Sequence, residues 1–143
     1  MNKMEAIRAR HSVRRYKDQS LDAKTISALR VEILSCNRES GLNIQLVVNE
    51  PKAFDGFMAH YGKFSGVKNY IALIGKKGPD LDEKCGYYGE RLVIKAQQMG
   101  LNTCWVALTY SKVKTAFQVE KGEKLCLVIA LGYGETQGTA HHS

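Results

Sequence analysis

Hydrophobic positions along the chain recur at two spacings, which predict helices alternating with short strands. Between residues 81 and 99 the apolar positions repeat every three or four residues, and Gly100 follows where a left-handed residue would end the helix. The same spacing predicts a turn of helix around Met4 and a second helix that starts with Ser20 as N-cap and Asp22 in its first turn. That second helix should carry one apolar stripe from Ile26 to Leu34 and break within residues 37–41.

Apolar runs bounded by turn residues predict the strands. They cover residues 42–48, 70–75 and 125–131, and residues 102–108 form a further strand or an extended entry into a loop. Short helices are predicted over residues 52–60 and 110–117, and a turn at 121–123. The order of elements indicates an α+β or α/β protein with about four strands covered by helices. No linker or repeat divides the sequence, so residues 1–143 are predicted to form a single domain.

Two glycines interrupt the long predicted helix. Gly86 and Gly89 each cost such a helix about 1 kcal/mol relative to alanine. Glycine leaves room for a second surface to approach the helix backbone closely. We therefore expect a close contact on this helix.

Composition narrows the class of protein. The chain has 143 residues, is 44% hydrophobic and contains no apolar run long enough to span a bilayer, and Met1–Glu5 lacks the apolar segment of a signal peptide. We expect a soluble cytoplasmic protein with no membrane partner. The formal charge of +7 favours anionic partners, which include nucleic acid, a nucleotide cofactor and a phosphorylated substrate.

The four cysteines stand far apart in the sequence. No Cys-x-x-Cys pair occurs, and no histidine lies near a cysteine at metal-ligand spacing. Free buried thiols are therefore predicted, rather than a zinc site or a disulfide framework. The cysteines are Cys36, Cys85, Cys104 and Cys126.

Residues 10–16, Arg-His-Ser-Val-Arg-Arg-Tyr, contain a cluster of basic and hydrogen-bonding side chains. Three guanidiniums, an imidazole and a hydroxyl fall within seven residues. Guanidinium groups match phosphate oxygens two at a time, and Ser12 can add a neutral hydrogen bond, so the segment is suited to hold an anion. Taken alone, such a cluster could equally be a basic turn that faces water.

This motif at the end of a first helix resembles the opening motif of the nitroreductase family of flavin-dependent oxidoreductases. Residues 95–106, which end in Gly-Leu-Asn-Thr-Cys-Trp-Val, resemble the family's central helix and its Gly-Leu-Gly-Thr-x-Trp segment, and residues 127–134 resemble its last core strand and Gly-Tyr-Pro exit. The resemblance implies an α+β nitroreductase-like fold, with a mainly antiparallel or mixed sheet of about four strands flanked by helices.

The resemblance also implies a flavin site. Arg10, His11 and Ser12 would hold the phosphate and ribityl chain of FMN, and Arg14 would reach the pyrimidine edge of the ring. Lys68 and Asn69 are further candidates for that edge. Backbone groups of Val106, Ala107 and Leu108 would lie beneath the ring.

The implied reaction is a ping-pong transfer of electrons. NADH or NADPH would reduce FMN and leave, and a small acceptor such as a nitroaromatic or quinone would then take its place. No catalytic side chain and no metal are required. The family also implies a homodimer with FMN between the subunits, and the long helix over residues 81–99 close to their interface.

The sequence departs from the family pattern at three places. Only Asn43 and Gln45 remain of the segment that enters the first strand, and they are either flavin contacts or polar residues at a strand edge. Gly134 stands where the family has proline. None of the last twelve residues is lysine or arginine, whereas the family places a cation on the phosphate there, so we expect a C-terminally truncated domain that binds FMN weakly.

Two other functions remain open from the sequence. One is a flavin-binding family member without turnover. The other is a basic nucleic-acid-binding module, although the basic residues are spread along the chain and no nucleic-acid-binding motif occurs. We therefore predict no nucleic-acid partner.

Overall fold

An antiparallel sheet of four strands, flanked by helices, forms the centre of the chain. The computed structural model describes residues 2–9, 12–50, 66–107 and 116–135. The helices in these ranges are α1 (Lys3–Ala9), α2 (Ala23–Ser40) and α3 (Leu81–Gln98). The strands are β1 (Gln45–Val47), β2 (Tyr70–Lys76), β3 (Asn102–Val106) and β4 (Glu123–Gly132). The predicted helix over residues 52–60 and most of that over 110–117 lie outside the described residues.

The sheet has the strand order β1-β2-β4-β3, and each neighbouring pair is antiparallel. Successive side chains of a strand point to opposite faces, so the sheet carries two cores. Ile71, Leu73 and Ile129 belong to the core that includes buried residues of α2 and α3. Ala72 and Val128 belong to the opposite core. This core also contains Val13 and Tyr16 of residues 10–16, called the basic segment below. The predicted α+β class and four-stranded sheet are confirmed.

Helix α2 begins two residues later than predicted. Asp22, not Ser20, is the N-cap, because its carboxylate accepts a hydrogen bond of 2.7 Å from the backbone N–H of Thr25. This bond holds the pKa of Asp22 below its usual value. Leu21 before the cap and Ile26 in the second turn join the same core, which fixes the angle at which the chain enters the helix.

The same helix ends at Ser40, inside the predicted break at residues 37–41, with Gly41 in the left-handed region at φ 78°. Asn37, the first residue of that break, is still helical. Its carboxamide donates to the carbonyl of Ile44 at 3.1 Å and accepts from the N–H of Ile44 at 2.8 Å. A side chain that is occupied in this way does not compete for its own helix backbone. The buried stripe consists of Leu29, Ile33 and Cys36, whereas Leu34 is exposed.

Helix α3 matches its predicted bounds to within one residue and packs against the sheet through Gly89. A Cβ added to Gly89 would lie 2.3 Å from Cη2 of Trp105 and 3.0 Å from Cδ1 of Leu73. The surface that approaches this glycine thus belongs to the same chain. Gly86, by contrast, faces open space.

Arg91 of α3 joins this helix to α2. Its Nε donates to Glu32 at 2.9 Å and its Nη2 to the hydroxyl of Ser35 at 3.1 Å, and Nη1 pairs with Glu39. These hydrogen bonds raise the pKa of Arg91. Among the described helices, none combines the length and apolar character needed to cross a membrane.

Candidate cofactor site

The basic segment runs along the open edge of β3 and then past the end of β4. Ser12 forms a parallel bridge with Thr103, and the N–H of Val13 donates to the carbonyl of Thr103 at 3.0 Å. Further on, Tyr16 forms an antiparallel bridge with Gly134. The backbone of residues 12–16 is thereby attached to β3 at its first residue and to Gly134 at its last.

Tyr16 anchors this segment in the protein interior. Its ring is buried, its hydroxyl donates to the carbonyl of Val13, and Gly132 leaves room for the ring. A Cβ on Gly132 would lie 3.1 Å from Cδ1 of Tyr16. Gly66 has a φ of +73°, and a Cβ on it would lie 2.2 Å from the carbonyl oxygen of Tyr16. Two glycines therefore permit the close packing that holds the segment.

With Val13 and Tyr16 turned inward, the polar side chains of the segment face outward. Ser12 is half-buried, and Arg14 and Arg15 are exposed. None of the ion pairs in the described part of the chain involves Arg14 or Arg15. Two guanidiniums without an ion pair in the described structure, close in sequence to a hydroxyl and on a backbone bridged to Thr103 and Gly134, form a donor set suited to an anion. Arg10 and His11 lie outside the described residues.

Lys68 lies near this segment, at the start of β2. Its ammonium group pairs with Asp18 at 2.7 Å. Asp18 is almost fully exposed, and the hydrogen bond from Lys68 lowers the pKa of its carboxyl group. The structure thus places the Lys68 cation on Asp18, two residues after Tyr16, where an anion could compete with Asp18 for it.

Asn69, the other candidate from this stretch, is held in the interior. It is 2% exposed, and its side-chain oxygen accepts from the N–H of Asn49 at 3.1 Å. Asn49 is in the left-handed region at φ 54°. The side chain of Asn69 therefore ties the turn after β1 to the start of β2, and its contact with a flavin stays a prediction.

Of the two alternatives predicted for residues 102–108, the structure shows a strand as far as Val106. Val106 is buried and is the last residue of β3, where it pairs with Val128 of β4. Ala107 follows and is exposed. Leu108 lies outside the described residues. The strand thus delivers Ala107 to the surface at its C-terminal end.

Asn43 and Gln45 hold the turn that precedes β4. The Nε2 of Gln45 donates to the carbonyl of Gln118 at 2.6 Å, and the N–H of Gln118 donates to Oε1 of Gln45 at 3.1 Å. Asn43 donates to Glu123 at 3.1 Å. These bonds use both polar atoms of the Gln45 carboxamide, which favours the structural interpretation of the two residues over a flavin contact.

Two departures from the family pattern, Asn102 in place of glycine and Gly134 in place of proline, are in contact with each other. The N–H of Gly134 donates to Oδ1 of Asn102 at 3.0 Å. Proline at position 134 would have no N–H to donate, and glycine at position 102 would have no side chain to accept it. Asn102 and Gly134 both differ from the pattern described above, and their contact makes the two differences a matched pair.

Tyr16 and Gly66 position the basic segment, and no role was predicted for either of them. Tyr16 is the last residue of the motif and could have been marked as its inward-facing anchor. Gly66 gives a weaker signal, because a glycine next to a serine ahead of a strand also fits an ordinary connection.

Known proteins resemble the chain both in sequence and in fold. The family model described as "Putative TM nitroreductase" matches residues 2–143. A nitroreductase with bound FMN from Desulfitobacterium hafniense DCB-2 superposes with a TM-score of 0.77 at 17% identity, over 100% of this chain and 95% of that chain. An FMN-dependent nitroreductase from Clostridium difficile R20291 gives 0.75 at 18% identity, over 97% and 91% of the two chains.

A third structure, named "Putative NADH dehydrogenase/NAD(P)H nitroreductase" and from Parabacteroides distasonis ATCC 8503, gives a TM-score of 0.76 at 22% identity, over 99% of this chain and 93% of that one. No curated protein matches the chain. At these identities the solved structures establish the fold. The match of the family model over residues 2–143 establishes membership: the chain belongs to the nitroreductase family.

Proposed function

We propose that the protein is an FMN-dependent oxidoreductase, which passes electrons from NADH or NADPH through FMN to a small acceptor such as a nitroaromatic or a quinone. The observation that carries this proposal is the set of Ser12, Arg14 and Arg15, held on a rigid backbone at the edge of β3 without carboxylate partners in the described structure. Two of the similar structures are named for FMN, which supports the same cofactor here.

The donor set fits FMN chemically. A phosphate monoester carries close to two negative charges at neutral pH, and guanidinium and hydroxyl groups are strong donors to such oxygens. Arg10, His11 and Ser12 would hold the phosphate and ribityl chain. Arg14 would place positive charge beside the pyrimidine edge of the ring, where it favours added negative charge.

Lys68 would contribute a second cation to that edge. Its pairing with the exposed Asp18 is weak, because water screens a surface ion pair and ordering its two side chains costs entropy. The ammonium group can therefore exchange Asp18 for a flavin carbonyl at little cost. The backbone of residues 106–108 would support the ring from the end of β3.

When bound, FMN supplies the hydride and electron transfer itself. The protein's own residues bind the cofactor, orient it and set the charge around it. No side-chain nucleophile is needed. We include a cytoplasmic location in this proposal, because a reaction that consumes NADH or NADPH draws on the pools of these reductants that the cytoplasm holds.

Replacing Arg14 with alanine is expected to weaken FMN binding by about 1.5 to 3 kcal/mol, the range for a hydrogen bond to a charged group. This equals about a 10- to 150-fold increase in Kd. Titration followed by quenching of FMN fluorescence measures it. Arg30→Ala is the matched control, because Arg30 is an exposed arginine on the surface of α2. Equal affinities in both variants would remove Arg14 from the site.

Turnover separates an enzyme from a flavin-binding protein without activity. Protein loaded with FMN should oxidise NADH or NADPH at a rate that depends on an added quinone or nitroaromatic. Protein that binds FMN stoichiometrically but leaves both nucleotides unoxidised would support the binding protein instead. Protein that gains no FMN on titration would contradict both functions.

A homodimer is part of the same proposal. Met4 and Ile7 on α1 and Tyr87 on α3 are large apolar side chains that are 57%, 51% and 69% exposed. Helix α1 packs on α3, so these side chains lie on two neighbouring helices. Apolar side chains grouped in this way are typical of protein interfaces. We propose that the faces of α1 and α3 meet a second copy of the chain.

The double variant Met4→Ser/Ile7→Ser is expected to shift the sedimentation coefficient from dimer to monomer, since it removes apolar area from the centre of this face. Val31→Ser/Leu34→Ser is the matched control, because these α2 side chains are similarly exposed, at 66% and 51%. The control should remain dimeric. Loss of the dimer in the control alone would assign the interface to α2.

A further inference from the structure

Cys126 occupies an irregular position in β4. Leu73 of β2 pairs with Leu127, but the next residue, Ile74, pairs with Leu125, so Cys126 is an extra residue in the ladder. Such a bulge redirects a side chain. In a regular strand Cys126 and Leu127 would point to opposite faces, yet both pack against the core beneath α2 and α3. The bulge therefore turns the Cys126 thiol toward α3.

The thiol meets two residues of the first turns of α3. Its sulfur lies 3.6 Å from Oδ1 of Asp82, and the Cys85 and Cys126 thiols are close enough for each to shift the pKa of the other. Asp82 and Cys85 are three residues apart and so share one face of the helix. Cys85 is buried, whereas Cys126 is partly exposed. A buried cysteine of α3 and a partly exposed cysteine of β4 thus lie close together in the same core.

We propose that Cys85 and Cys126 form an oxidisable dithiol, which a hydroperoxide converts to a disulfide that links α3 to β4. Cys36 lies in the core on the helix-covered face of the sheet, and Cys104 lies in the opposite core. The inference does not depend on flavin binding.

The reaction balances with hydrogen peroxide as the oxidant. The Cys126 thiolate attacks one peroxide oxygen, the O–O bond breaks, and the leaving hydroxide takes a proton to become water. The sulfur of Cys85 then attacks the Cys126 sulfenic acid. The S–S bond forms, the S–O bond breaks, and the second hydroxide leaves as water with the proton of Cys85. Two thiols lose two electrons, and one peroxide yields two waters.

Solvent access and pKa assign the two roles. The partly exposed Cys126 can meet a molecule as small as hydrogen peroxide, and the neighbouring Cys85 thiol partly offsets the rise that burial causes in the pKa of Cys126. Burial raises the pKa of Cys85 to about 12, which makes it the resolving thiol rather than the first to react. Burial also raises the pKa of Cys126, and Asp82 adds to this while Lys124 opposes it, so the first step is slow.

Tryptic mapping of the wild-type protein tests the proposal directly. The four cysteines fall in four separate tryptic peptides, residues 31–38, 85–91, 96–112 and 125–143. After native protein is treated with hydrogen peroxide, we expect peptides 85–91 and 125–143 to be joined, with a mass two hydrogens below their sum. Dithiothreitol should separate them. Peptides 31–38 and 96–112 should remain alkylatable.

Variants and stability supply independent outcomes. In Cys85→Ser the Cys126 sulfenic acid has no resolving thiol and should be trapped by dimedone, whereas Cys36→Ser should still form the link. The oxidised protein should unfold about 10 °C higher than the reduced protein, because the link closes a loop of some 40 residues. Four thiols that remain free in excess peroxide, over-oxidation of Cys126 without a link, or a link to another cysteine would overturn the proposal.

Discussion

Replacing Gly66 with alanine is expected to lower the free energy of unfolding by about 2–5 kcal/mol. The left-handed backbone at φ +73° costs an alanine about 1–2 kcal/mol. The new methyl would also lie 2.2 Å from the carbonyl oxygen of Tyr16, a contact that no rotation of a side chain can relieve. Overpacking of this kind adds about 1–3 kcal/mol. Urea unfolding measures the change.

Gly122→Ala separates the two causes. Gly122 has a similar φ of +86°, but a Cβ there meets nothing within 4 Å. It should therefore show only the backbone cost, about 1–2 kcal/mol. An equal decrease in the free energy of unfolding in both variants would mean that the close contact between residue 66 and Tyr16 does not affect stability.

The same substitution bears on the proposed cofactor site. If the carbonyl of Tyr16 moves away from residue 66, the backbone that presents Ser12 and Arg14 moves with it, because residues 12–16 share one set of bridges to β3 and to Gly134. FMN affinity of the folded Gly66→Ala protein should fall while that of Gly122→Ala does not. Unchanged FMN affinity would show that the donors are held by the edge of β3 alone.

The sequence predicted the sheet and long helix well, since their signals are local. Residues 70–75 and 125–131 are apolar runs, and α3 has a regular spacing of apolar residues that ends at Gly100. The break after α2 was predicted over residues 37–41, but the sequence did not show that Asn37 stays in the helix, because Asn37 ends a helix only when its carboxamide is free. Its partner, Ile44, belongs to the next stretch of chain. No local pattern contains that information.

The sequence predicted the basic motif of the candidate site but not the residues that hold it in place. The motif around Ser12 and Arg14 is visible because its chemistry is contiguous. What holds the motif is not contiguous: Gly66, Gly132 and Thr103 come from three distant parts of the chain. Asn69 is a candidate ligand because the family resemblance implies a polar flavin contact ahead of the second strand, and its buried bond to Asn49 is a structural role that the sequence did not show. Polarity in a sequence does not distinguish these two uses.

Replacing Gly89 with alanine is expected to destabilise the protein by about 1–3 kcal/mol, although alanine favours a helix by about 1 kcal/mol over glycine. The added methyl would lie 2.3 Å from Cη2 of Trp105 and 3.0 Å from Cδ1 of the fully buried Leu73. Either α3 moves off the sheet or the indole swings outward. Trp105 is the sole tryptophan of the chain, so its emission reports which occurs.

Gly86→Ala is the matched control for Gly89→Ala, since Gly86 lies one turn away on the same helix and a Cβ there meets nothing within 4 Å. It should stabilise the protein by about 0.5–1 kcal/mol and leave the Trp105 emission unchanged. The two methyl additions should thus differ by about 2–4 kcal/mol, with opposite signs. A red shift of the emission in Gly89→Ala alone would show that the ring turns toward solvent. Stabilisation by both substitutions would mean that the indole does not need the space that Gly89 leaves.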